Sequence, residues 1–91
     1  MKIRFELRET ISGEATHYLT KVIERDHVPE QGAAVRVLGN LRQIYRVVEN
    51  LDSDSVDVFV GNNAWSERLA DEGHAYIEKL KADGWKEETT P

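Results

Sequence analysis

Along residues 2–8, Ile3, Phe5 and Leu7 alternate with Lys2, Arg4, Glu6 and Arg8, the period of a half-buried strand. The next stretch carries two signals at once. Ala15, Tyr18, Leu19, Val22 and Ile23 fall at helical spacing, whereas the residue types Thr16, Tyr18, Thr20, Val22 and Ile23 favour a strand. Ser12-Gly13 tips the balance, because glycine accepts positive φ freely and the pair can form a two-residue hairpin turn. Such a turn sets Leu7 opposite Tyr18 and Ile3 opposite Val22. The competing order, βαβββα, makes residues 14–26 a helix and places β-branched residues in it at a cost in propensity.

Pro29 and Gly32 mark a turn, after which Val35 and Val37 alternate with Arg36, and Gly39-Asn40 reads as the next reversal. QIYRVVE at 43–49 and VDVFV at 56–60 are rich in β-branched and aromatic residues and flank the polar turn DSDS at 52–55. From Asn62 or Asn63 as N-cap, Trp65, Leu69, Tyr76, Ile77 and Leu80 keep a helical period as far as Gly84, a typical helix stop. The expectation is an α+β fold: an antiparallel meander of four or five strands, rolled toward a partly open barrel, with one C-terminal amphipathic helix over 64–83. That helix packs on the sheet through Trp65, Leu69, Tyr76 and Leu80. Residues 1–85 form the domain, residues 86–91 a polar tail expected to fray, and Trp85 either folds back on the helix end or stays exposed.

The 91 residues leave room for one domain. With 12 Lys+Arg against 17 Asp+Glu the net charge is -5, so a general affinity for phosphate backbones has no electrostatic support. Cysteine is absent, which removes disulfides, thiolate nucleophiles and Cys-ligated metals together. No secretory apolar segment opens the chain and no apolar run approaches about 18 residues, so neither a signal peptide nor a spanning helix is expected, and a cytoplasmic location is the default.

Candidate chemistry is sparse. His17, His27 and His74 match no metal-ligand spacing; Asp71 and His74 stand at i and i+3 on the expected helix, but a solvated helix face gives the same pattern, and no metal or cofactor is expected. The serines have local roles in turns or caps, no nucleophile elbow or phosphate loop is present, and catalysis is not expected. Acidity is the stronger theme. Glu49, Asp52, Asp54 and Asp57 follow one another without an intervening base, and residues 61–91 hold seven acids against four bases. Glu67, Asp71 and Glu78 share a helical stripe and, with Asp52 and Asp54, make the candidate surface for a protein partner. The alternative is nucleic-acid binding by Arg36, Arg42 and Arg46, gathered by the hairpin beside Tyr45; three arginines are few, and this reading is disfavoured. Open sheet edges predict a homodimer.

The pattern V-P-x-x-G-x-x-V-x-V-x-G at 28–39, followed by Y-R-V-V-E and V-D-V-F-V, resembles small β-rich proteins of bacteriophages and mobile or actinobacterial genomes that form partly open, SH3-like barrels. It covers about a third of the chain and brings no functional residues, since such proteins are mostly uncharacterised. What it implies is an accessory protein of a phage or mobile element, an adaptor or inhibitor docking on a protein partner, with an enzyme subunit completed between chains as a further alternative.

Overall fold

The structure is a computed structural model and describes residues 1–88. It is α+β: β1 (Lys2–Ile11), β2 (His17–Glu24), β3 (Ala34–Val37), β4 (Asn40–Asn50), β5 (Ser55–Val60), β6 (Asn63–Trp65), a 3₁₀ turn (Glu67–Leu69), α1 (Ala70–Ala82) and β7 (Lys86–Glu88). The seven strands form one open, mixed sheet in the order β3-β4-β5-β1-β2-β7, with β6 also on β1. This exceeds the four or five strands expected. The hairpins β1–β2, β3–β4 and β4–β5 are antiparallel as read from the sequence, but β1 pairs with β5 in parallel, Lys2 opposite Ser55 through Glu6 opposite Phe59. Beyond Glu6 the same edge of β1 continues against β6, Glu9 opposite Asn63 and Ile11 opposite Trp65. The long β1 is therefore central, which explains why Ile3, Phe5, Leu7, Glu9 and Ile11 are all buried on one face.

Within residues 14–26 the chain forms the strand His17–Glu24, and the helical alternative there does not form. The turn is longer than the two residues expected. Glu14 N–H donates to the Ile11 carbonyl at 3.0 Å across Gly13, whose φ is +82°, and the chain then runs through Ala15 and Thr16 before pairing resumes at His17. The register moves by one: Leu7 faces Leu19 and Ile3 faces Ile23. Because strand side chains alternate, that step exchanges the faces. Leu19 and Ile23 go toward the helix, while Tyr18 and Val22 go to the opposite face, where Val22 is 60% exposed.

The β3–β4 reversal uses Leu38 and Gly39, at φ +49° and +83°, with Val37 paired to Asn40. In β4 the register shifts between Ile44 and Arg46, leaving Tyr45 unpaired.

The helix begins later than expected. Trp65 belongs to β6, its carbonyl accepting the Ser12 N–H at 2.9 Å, so the backbone cannot turn helical until Ser66. Neither Asn62 nor Asn63 caps it. Within α1 the buried positions are Gly73, Ile77 and Leu80, with Tyr76 and Ala70 partly buried, at the spacing of an inward stripe. At the far end Gly84, at φ +98°, closes a Schellman motif: its N–H donates to the Lys81 carbonyl (3.1 Å) and that of Trp85 to Leu80 (3.0 Å). Trp85 thereby folds back into the core. Lys86–Glu88 pair with Tyr18–Thr20 rather than fraying; residues 89–91 lie outside the described part. The core joins Ile3, Phe5, Leu7, Ile11, Leu19, Val37, Ile44, Val56, Val58 and Val60 from the sheet to Ile77, Leu80 and Trp85.

Candidate functional site

Two inward positions of the sheet carry charge. Glu9 continues the apolar side of β1, and Arg42 shares the inward side of β4 with Ile44; both are buried and they form an ion pair. Arg42 also donates to the Tyr76 hydroxyl (2.9 Å) and the Gly61 carbonyl (3.3 Å), and Trp65 Nε1 donates to the second Glu9 oxygen (3.2 Å). The guanidinium lies 5.5 Å from the Tyr76 ring centroid. This network ties β1, β4, β6 and α1 together and removes Arg42 from any surface. Parity was the available signal: Glu9 and Arg42 interrupt inward apolar series, which a charged residue does only when it has a buried partner.

The other nucleic-acid candidates are dispersed as well. Arg46 stacks over Phe59, 5.5 Å from the ring centroid, and Tyr45 leans on the same ring at 6.2 Å, on the face away from the helix. Arg8 likewise covers Tyr18 at 5.3 Å, so that face closes its aromatic rings largely with its own arginines. Arg36 stands on β3 instead. The basic cluster expected around the β3–β4 turn is thus not assembled.

The acidic candidates Glu67, Asp71, Glu78, Asp52 and Asp54 are all exposed. They do not form one surface. Asp52 and Asp54 flank a recess shared with Met1 and Val28, at the Lys2 end of β1, whereas Glu67 and Asp71 follow Trp65, which pairs with Ile11 at the other end. Ten strand residues, about 30 Å at about 3.3 Å each, lie between the two ends.

The helix leaves part of its own face of the sheet uncovered. Beside its C-terminus, Phe5, Ile23, Val35, Val37, Val60 and Trp85 line an apolar groove of about 270 Å³. Its only charged lining residues are Arg25 and Arg36, both exposed and neither in an ion pair among the described residues. The groove opens at β3, an edge strand of four residues. Only the folded sheet reveals it, because the register that turns Ile23 inward and the packing that brings Trp85 beside β1 and β3 are both tertiary outcomes.

At the opposite end of the helix, two histidines distant in sequence meet one carboxylate. His74 Nε2 lies 2.9 Å and His17 Nε2 3.3 Å from Glu14, while His17 Nδ1 lies 3.3 Å from Glu87. Hydrogen bonds with His74 first and His17 second hold the Glu14 carboxyl below its usual range. Partial burial pushes Glu87 up, but hydrogen bonds with Lys81 and His17 outweigh it and leave this carboxyl lowered too. The sequence spacing of His17 and His74 matches no metal-ligand signature, and the Asp71–His74 pair is not part of the cluster. The i, i+3 spacing of Glu14 and His17 was visible; the arrival of His74 was not.

Comparison with protein-family models, curated proteins and solved structures yields no match, so the functional reading rests on the chain's own geometry. No helix among the described residues is long and apolar enough to cross a membrane.

Proposed function

We propose that the chain is a non-catalytic accessory protein, of the adaptor or inhibitor kind, that docks on a protein partner through the groove at its β3 edge. The occupant is an extended segment with alternating apolar and acidic side chains, added as a strand to the outer side of β3. Its apolar side chains enter between Val35, Ile23 and Trp85, and its carboxylates meet Arg25 and Arg36. One observation carries this reading: in a chain of net charge -5, the apolar groove beside an open strand edge has arginines as its only charged lining. The phage or mobile-element setting suggested by the sequence pattern is compatible with such a role, and the reading favours the sheet edge over the acidic helix stripe.

Selection of random displayed peptides on the purified chain tests this. The expected outcome is a consensus of apolar residues alternating with Asp or Glu, with binding abolished by Val35→Asp, weakened by Arg36→Glu and by rising salt, and unchanged in the triple variant E67Q/D71N/E78Q. Peptides that bind the Val35→Asp chain equally well would refute the site. Loss of binding in the triple variant would return the acidic helix as the docking surface. Micromolar binding of an oligonucleotide that weakens steeply with salt would favour nucleic acid instead.

A further inference from the structure

The geometry points to a divalent transition-metal site formed by Glu14, His17 and His74. One ligand atom from each residue lies within 4.8 Å of the others, and the set is two imidazoles and a carboxylate, the donor chemistry suited to zinc and its neighbours. Zinc bound tetrahedrally at about 2.0–2.2 Å to nitrogen and oxygen spaces its ligands by about 3.4 Å. The His74–Glu14 and His17–Glu14 separations of 2.9 and 3.3 Å are therefore a few tenths of an ångström from that geometry. The two imidazoles lie within 4.8 Å of each other at their donor atoms, and rotation of the side chains closes the remainder on an ion.

Two further features favour a metal over simple hydrogen bonding. His17 turns Nε2 to the cluster while its Nδ1 is held by Glu87, the carboxylate–histidine arrangement that commonly orients metal-bound imidazoles. Glu87 is itself fixed by Lys81 at 3.2 Å and by the pairing of its residue with Leu19. The ligands also come from three elements already locked together: Glu14 from the turn closed on Ile11, His17 from the first position of β2, and His74 from α1. The helix reaches the turn because Gly73 seats against Trp65 and Ile11, where an added Cβ would stand 2.8 Å from Trp65 Cγ. Three protein ligands leave a fourth position for water or for a donor from a partner. The site is distinct from the β3 groove and stands whether or not that groove binds a peptide.

Zinc titration of the purified full chain, with a competing chromophoric chelator to fix the affinity, tests this. One zinc per chain is expected, and Co²⁺ in its place should give the intense visible absorption of a four-coordinate nitrogen and oxygen site. His17→Ala, His74→Ala and Glu14→Gln should each weaken zinc by more than tenfold. Glu87→Gln should weaken it by about tenfold or more through the orientation of His17, and His27→Ala should leave it unchanged. His74 and Glu14 are exposed, so their variants should keep the parent's circular dichroism and fold. Zinc binding undiminished in His74→Ala overturns the assignment. So does a stoichiometry of one zinc per two chains accompanied by a doubled mass, since the ion would then bridge copies instead.

Discussion

Replacing Arg42 by Met removes the cation of the buried pair while keeping most of the side chain's apolar length. The Glu9 carboxylate, 0% exposed, would keep only the Trp65 Nε1 hydrogen bond, and both the Tyr76 hydroxyl and the Gly61 carbonyl would lose a donor. Stranding one charge of a buried pair costs about 3–5 kcal/mol. A chain of 91 residues has a total stability of about 5–14 kcal/mol at about 0.05–0.15 kcal/mol per residue, so the loss is between a fifth and nearly all of it. In melting temperature this is roughly 12–40 °C, taking about 4–8 °C per kcal/mol for a domain of this size. Urea unfolding followed by tryptophan fluorescence reads it directly, because Trp65 contacts both Glu9 and the Tyr76 ring. The double variant E9Q/R42M removes the stranded charge and should cost at least about 1 kcal/mol less than the sum of its two parents, as expected for residues in direct contact. A loss below about 1 kcal/mol in Arg42→Met with an unchanged denaturant slope would refute the buried pair and return Arg42 to the surface.

Gly73→Ala should destabilise by about 1–2 kcal/mol: the gain in helix propensity is about 1 kcal/mol, but the new Cβ meets the Trp65 ring at 2.8 and 3.1 Å and Ile11 Cδ1 at 3.2 Å, and a higher melting temperature would contradict that close seat. Leu38→Asn should stabilise by about 0.5–1 kcal/mol, because Leu38 sits at φ +49° in a two-residue hairpin turn where Asn-Gly is the favoured pair; a urea midpoint unchanged or lowered would show that Leu38 makes compensating contacts. The Lys81 ammonium, hydrogen-bonded to Glu87, is raised above its ordinary 10.5, so its contribution is complete below that pH and disappears as pH climbs through the raised value. The gap in urea midpoint between parent and Lys81→Gln should therefore hold steady at neutral pH and close above 10.5; a gap that widens there would reverse the sign. Self-association through the open edge of β3, in competition with the peptide, predicts a light-scattering mass of about twice 10.4 kDa for the free chain, reduced to one chain by Val35→Asp or by saturating peptide, whereas 10.4 kDa up to millimolar concentration would exclude the dimer.

The sequence by itself determined the elements that depend on near neighbours. Alternation of Ile3, Phe5 and Leu7 made β1, β-branched runs made β4 and β5, and Gly84 stopped the helix, because side-chain period and positive-φ turns are properties of a few consecutive residues. It left open everything set by remote pairing. The parallel union of β1 with β5 has no local signature, since it depends on which strand best covers a central edge after the intervening hairpins have closed. The one-residue register change in β1–β2 follows from where the longer turn lets Leu19 and Ile23 reach the core, and it moved Tyr18 and Val22 to the other face. Trp65 carried a helical period yet was claimed by β6, where pairing with Ile11 outweighed local preference. The candidate sites belong to this second class. Glu14 and His17 stand three residues apart, a spacing that marks nothing without a third donor, and that donor arrives 60 residues later in the chain, carried there by the packing of Gly73 against Trp65 and Ile11. Arg42, grouped by sequence with Arg36 and Arg46, was drawn inward because a buried Glu9 needed a cation, and the cost of leaving that charge unpaired exceeds anything a surface arginine contributes.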